Sequence, residues 1–121
     1  MANREDREQL DRLYEKVSGY FGLFSEPMRL RILHCLCDGE KSVTDVVQNV
    51  EGTQTNVSRH LALMHKQGVL ARRKDGITVF YSIADENAVA LCRSVCTQLA
   101  ARMDENRLTP KAVRTFMVQS S

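Results

Sequence analysis

Four cysteines and one run of short hydrogen-bonding side chains hold the chemistry of this 121-residue chain. The cysteines fall in two pairs, Cys35-x-Cys37 and Cys92-x-x-x-Cys96. On a helix, four residues' separation stacks Cys92 over Cys96, close enough to share a thiophilic ion. Two residues' separation makes Cys35 and Cys37 diverge, so both should not join one site. Two chemistries suit such thiols. An oxidant or persulfide attacks the more thiolate-like sulfur and a partner thiol resolves it. Alternatively, three thiolates bind arsenite or a soft ion such as Cu(I) or Cd(II). The plain alternative is that they pack as small apolar side chains. Neither spacing is that of a common zinc ribbon. No metal ligand is therefore assigned and no resident cofactor is expected; a soft metal or metalloid stays open as an effector.

The second chemical stretch is Gln54, Thr55, Asn56, Ser58 and Arg59, a face without acidic residues. Such groups reach base edges and phosphates from a helix lying in a major groove. Asn56 suits either base reading or capping of the first helical turn. His60, beside this face, makes either a phosphate contact or a structural hydrogen bond. His65 and Lys66 suit the end of the same helix. Arg72, Arg73 and Lys74 follow on a strand and would add salt-dependent phosphate affinity. His34 reads as a surface or capping residue.

The elements that must carry these groups follow from pattern. Thr53 N-caps and Gly68 closes a helix whose inner side is Val57, Leu61 and Met64. A shorter helix with Val43, Val46, Val47 and Val50 facing in precedes it across Glu51-Gly52. Val43 itself fits a short strand or the turn into that helix. Two helices joined by such a turn, residues 43–68, make a helix-turn-helix. Asp75-Gly76 then predicts the turn of a β-hairpin over residues 69–83, with the basic triplet on its outgoing strand. The fold class is mainly α with a β-hairpin wing, a winged helix-turn-helix in a single domain over residues 1–121. Ser25-Glu26-Pro27 starts an apolar central helix to about Cys37, with Ser25 as N-cap. Amphipathic helices at 5–23 and 86–103, the latter N-capped by Asp85, read as dimerisation helices. In the tail, 104–121, Thr109-Pro110 starts a short helix over Lys111 to Val118.

A hydrophobic fraction of 43% and a net charge of +2 are ordinary for one globular domain. The polar, mixed-charge N-terminus is not a secretory signal, and no apolar run is long enough to span a bilayer. A cytoplasmic location without membrane contact is expected, with the thiols kept reduced. No glycine-rich phosphate loop or nucleophile-base-orienter set is present, and the adjacent His34 and Cys35 point apart, so an enzyme is not expected. A module for protein contacts alone is the remaining class; it would tolerate charge reversal at Arg59.

The stretches SEPMRLRILHCL, GEKSVTDV, TQTNVSRHLALMHKQGVLARRKDG and VFYSI together resemble the ArsR/SmtB family of bacterial winged-helix regulators, from about Tyr20 to Ala100. The resemblance implies a homodimer built on the first and last helices. It also implies binding to double-stranded operator DNA with an imperfect inverted repeat, and repression released by a metal, a metalloid or thiol oxidation. The family's soft-metal motif, Glu-Leu-Cys-Val-Cys-Asp, reads here Glu40-Lys41-Ser42-Val43-Thr44-Asp45, without either thiol. Its zinc and nickel positions read Asp85, Asn87, Gln98 and Ala101, and only Asp85 matches. The family's dithiol sensors pair one cysteine on the second helix with one on the last. By that likeness, Cys35 or Cys37 would pair with Cys92 or Cys96, although neither late cysteine matches the usual position.

Overall fold

The computed structural model describes residues 3–103. The expected tail helix over 111–118 lies outside them. Among the described residues the order is α1 (Arg4–Gly22), α2 (Pro27–Leu36), β1 (Lys41–Ser42), α3 (Val43–Val50), α4 (Gln54–Lys66), β2 (Leu70–Asp75), β3 (Thr78–Ile83) and α5 (Glu86–Arg102). The strands form one antiparallel sheet in the order β1-β3-β2.

The central helix is α2. Its residues Ile32, Leu33 and Leu36 are buried, and they pack with Val46 and Val50 of α3 and with Val57, Leu61 and Met64 of α4. Each such aliphatic side chain contributes about 1.5–3 kcal/mol on full burial. The start of α2 differs from expectation by one residue. Glu26, not Ser25, is the N-cap, and its carboxylate accepts from the Arg29 amide at 3.2 Å. Ser25 instead donates its hydroxyl to the Gly22 carbonyl at 2.6 Å, because the chain is still turning out of α1 there.

Val43 resolves in favour of the turn. Lys41 and Ser42 pair with Tyr81 and Phe80, and the Ser42 hydroxyl accepts from the Asp45 amide at 3.2 Å, so Val43 opens α3 directly. Between α3 and α4 the chain passes through Glu51 in the left-handed region (φ 54°). Gly52 follows because nothing larger fits. A Cβ there would stand 2.7 Å from a Val57 methyl and 3.3 Å from the Met28 terminal carbon. Thr53 caps α4, accepting from the Asn56 amide at 3.2 Å, and Gly68 takes φ +84° just after it.

The hairpin turn is displaced from Asp75-Gly76 by one residue. Asp75 pairs with Thr78, which leaves Gly76 and Ile77 as the two central residues. Only Gly76 has a positive φ (+62°), the demand of a turn with glycine in first place. Asp75 is therefore free to stay extended and pair.

At the outer side, α1 buries none of its residues, and Leu10, Leu13, Tyr14, Val17 and Phe21 are exposed along it. Helix α5 buries Ala88, Val89 and Cys92 near its start, then exposes Val95, Leu99 and Met103. The two helices meet where the Tyr20 hydroxyl donates to the Asp85 carboxylate at 2.9 Å. Burial, reinforced by that bond and by the charge of Asp85, pushes the Tyr20 phenol up to about 12, so it stays a donor.

Candidate nucleic-acid interface

Helix α4 turns Val57, Leu61 and Met64 into the core, which leaves Gln54, Thr55 and Arg59 exposed and Ser58 half-exposed on the other side. The 3.6-residue period does this sorting: the apolar positions recur at one face and the polar ones at the face opposite. Arg59 is not loose. Its guanidinium donates to the Asn56 side-chain oxygen at 2.6 Å, which orients the fork one turn back along the helix. Asn56 thus positions Arg59 with its side chain while its backbone amide meets the Thr53 cap.

The hairpin faces α4 across an open cleft of about 580 Å³. Gln54 and Ser58 line it from α4, Arg72 and Ile77 from the hairpin, and Ser42 and Thr44 from the start of α3. Its lining mixes these hydroxyls, an amide and one guanidinium with the apolar Val43, Ala62 and Val79, and the polar groups suit a phosphate backbone beside a groove. Gln54, Ser58 and Arg72 are expected at DNA from the sequence; Ser42, Thr44 and Ile77 join the cleft only through the fold. Ile77 is 98% exposed, at the hairpin tip.

The basic triplet divides. Side chains alternate along a strand, so Arg72 and Lys74 share one face and Arg73 takes the other. There Arg73 donates to both Glu40 oxygens, at 3.1 and 2.6 Å, and lies over the Phe80 ring at 4.5 Å. Its hydrogen bonds hold the Glu40 carboxyl below its ordinary range and raise the Arg73 guanidinium. Arg73 is thus a strut between the hairpin and the loop after α2, not a free cation at the cleft. The alternation was available in the sequence; its partner, 33 residues earlier, was not.

His60 turns inward, at 6% exposed, and so is not on the surface that a phosphate would meet. Of the two alternatives at this residue, the structural hydrogen bond is the one present. Nδ1 stands 3.4 Å from an Arg29 nitrogen and Nε2 stands 3.6 Å from the Glu26 carboxylate. Burial, with Arg29 and Arg59 adding to it against Glu26, holds the imidazole below its ordinary pKa. His65 is exposed in the last turn, edge-on to Tyr81 with ring centroids 6.4 Å apart.

None of the four cysteines is in a disulfide, and three of them line two separate recesses. Cys35 lines a polar recess with Arg31, His34 and Asp38. Cys92 and Cys96 line an apolar groove of about 480 Å³ whose far wall is Phe21, Phe24 and Leu30. Burial raises the Cys35 and Cys96 thiols and pushes Cys92 up to about 12, with Cys96 and Cys37 close enough to add to the rise. The divergence of Cys35 from Cys37 and the stacking of Cys92 with Cys96 follow from helical spacing. The proximity of Cys37, just past the end of α2, to Cys92 of α5 is not given by any local spacing. Cys37 itself donates to the Leu33 carbonyl at 3.2 Å. Among the described residues, no three potential metal-ligating side chains converge. Asp85, the one residue matching a family metal position, is occupied by the Asn87 and Ala88 amides and by Tyr20. No helix among the described residues is long and apolar enough to cross a membrane.

Comparison with known proteins agrees with this geometry. The model of the bacterial regulatory protein, arsR family, matches residues 26–72. An uncharacterised helix-turn-helix-type transcriptional regulator of Methanocaldococcus jannaschii is 32% identical over 83 residues, covering 68% of this chain and 93% of that protein. The crystal structure of Rv0081 of Mycobacterium tuberculosis, 32% identical, superposes with a TM-score of 0.65 over 74% of this chain and 90% of that one. A homodimeric winged helix-turn-helix DNA-binding domain from Mycobacterium bovis, 27% identical, gives 0.68 over 84% and 91%.

Proposed function

The chain belongs to the arsR family of bacterial regulatory proteins and is a DNA-binding transcriptional regulator, and from that premise we propose that it is a cytoplasmic homodimeric repressor. Its operator is an imperfect inverted repeat, and a thiol change between α2 and α5 releases it. The observation that carries the DNA-reading part is the cleft joining Gln54 and Ser58 of α4 to Arg72 of the hairpin. Gln54, Thr55, Ser58 and Arg59 read the major groove; Arg72 and Lys74 hold the backbone alongside. The unburied apolar faces of α1 and α5 supply the seam between two copies.

For release, the nearness of Cys37 to Cys92 favours that pair over one with Cys35. Forming a Cys37–Cys92 disulfide removes two protons and two electrons, which pass to an oxidant or to a persulfide sulfur leaving as sulfide. Burial keeps the Cys92 and Cys96 thiols protonated, so the reaction waits on opening of the apolar groove. A soft ion, the second chemistry, would have to draw the same sulfurs into one site.

The test is a gel shift with a duplex from the protein's own upstream region. Saturable, competitor-resistant binding is expected, with Arg59→Glu losing it at unchanged melting temperature. Treatment with a polysulfide should weaken binding, and Cys37→Ser or Cys92→Ser should remove that response. Purely non-specific binding overturns the first part; an unchanged polysulfide response in the quadruple Cys→Ser protein overturns the second.

A further inference from the structure

Arg29, with Arg31 and His34, interrupts the apolar run of α2, and its half-buried guanidinium reaches into the junction of three elements. Nε donates to the Leu23 carbonyl at 2.9 Å and one terminal nitrogen to the Gly22 carbonyl at 3.1 Å. These are carbonyls at the C-terminal end of α1, a helix with no basic residue in its own last turn. A cation from the next helix therefore satisfies that end and its partial negative charge. The other terminal nitrogen of Arg29 faces His60 Nδ1. A guanidinium only donates, so Nδ1 must accept and the ring proton sits on Nε2, toward Glu26. Glu26 in turn caps α2 through the Arg29 amide. The chain of contacts runs from the end of α1, through Arg29, to the neutral ring of His60 on α4.

We propose that Arg29 is a positioning residue for DNA reading: through His60 it fixes the rotation of α4 against the end of α1. The apolar contacts of Val57, Leu61 and Met64 hold α4 down but are non-directional. The Arg29–His60 bond is directional, and His60 is the immediate neighbour of Arg59 on the reading face. It also ties the reading helix to the helix whose apolar face is unburied in the protomer. A shift of α1 against its partner copy then reaches α4 through one side chain.

The bond exists only while His60 is neutral. Protonation puts a donor on Nδ1 opposite the Arg29 donor. The charged groups acting on the ring are Glu26 and Arg29 from α2 and Arg59 from α4 itself; Glu26 favours the protonated ring and the two arginines oppose it. The folded-state imidazole lies below its ordinary value, so the unfolded chain binds the proton more readily. Stability from this site is complete above the ordinary imidazole range and declines as pH falls through that range. DNA reading is lost on the acid side of that range, once the folded protein takes up the proton.

This inference rests on the DNA-reading role of α4, and the experiment separates the two. Affinity is measured by fluorescence anisotropy for a duplex from the upstream region and for a scrambled duplex of equal length. The pH runs from about 8 to 5.5, across the imidazole range. His60→Asn keeps an acceptor near Nδ1 that does not titrate; His60→Phe keeps a ring without an acceptor. His60→Phe and Arg29→Met should weaken the upstream duplex by about fivefold or more at neutral pH, the scale of a modest coupling, without weakening the scrambled one equally. His60→Asn should bind at neutral pH close to wild type and lack the wild type's acid loss; titrations shared with wild type, such as that of His65, cancel in their ratio. If Arg29→Met does not fold, the two His60 variants decide. Wild-type affinity in His60→Phe, or an acid loss in His60→Asn equal to that of wild type, overturns the relay. A wild type with no preference for the upstream duplex at any pH overturns the reading role of α4, and the relay with it.

Discussion

Helix α4 and the β2–β3 hairpin face one cleft, yet they are held by different forces. Helix α4 sits on a dry core: Val57 and Leu61 have no exposed surface and Met64 has 2%. The hairpin is exposed from Ala71 to Thr78 and is tied down near its tip by the Arg73–Glu40 pair and the Phe80 ring. Dispersion and burial are not screened by salt, whereas an exposed ion pair is. The reading helix should thus keep its place across ionic conditions, while the hairpin adjusts. Under the proposed function, one element fixes what is read and the other tunes how tightly the duplex is held.

The contrast breaks most visibly in the core. Leu61→Ala should cost about 2–5 kcal/mol in urea unfolding, while Ile77→Ala at the hairpin tip should stay within about 0.5 kcal/mol. Equal losses would mean that the hairpin is as integral as the helix. A pair of glycines sharpens the point. Gly52→Ala pushes a methyl into the stiff, fully buried Val57, so it should cost about 1–3 kcal/mol and lower DNA affinity with it. Gly76→Ala meets nothing within 4 Å and suffers only its left-handed backbone, about 1 kcal/mol. Thermal melts of the two variants rank them. The smallest change is Glu40→Gln. Melting should scarcely move, but Arg73 is released toward phosphate, so affinity at low salt should rise and its dependence on salt should steepen by about one contact. The Glu40 carboxylate lies below its ordinary pKa because of Arg73, so its contribution is present above the unfolded value and fades as pH falls through the folded one. Wild-type protein taken to acid pH should therefore approach the Gln variant.

The parts legible in sequence were those governed by local rules. Thr53 and Asp85 cap the helices they precede because a side-chain oxygen needs only the next turn's amide. The 3.6-residue period sorted α4 into a core side and a reading side, and Cys35 from Cys37. The illegible parts were those in which a polar group's partner lies far along the chain. Nothing near Arg73 announces Glu40, and nothing near His60 announces Arg29, so pattern alone makes the first a phosphate-seeking cation and offers two roles for the second. Ser25 lost the cap of α2 to Glu26 over a single residue, a choice set by where α1 lets the chain go. The hairpin turn moved one place because glycine fills the single left-handed position whichever neighbour joins it.

Helix α1 has one more consequence. Its 19 residues span about 28 Å, and none is buried in its own protomer. Most of a helix's stability comes from packing its apolar face, and α1 packs little of its own within the protomer. In the proposed homodimer its persistence is a matter of mass action: a second copy acts as the ligand, and occupancy rises with protein concentration. On that reading scarce protein leaves the apolar face of α1 uncovered, and α1 is the helix whose end Arg29 satisfies. Copy number thereby enters the geometry of a single molecule, and a regulator that lowered its own supply would loosen its own reading helix.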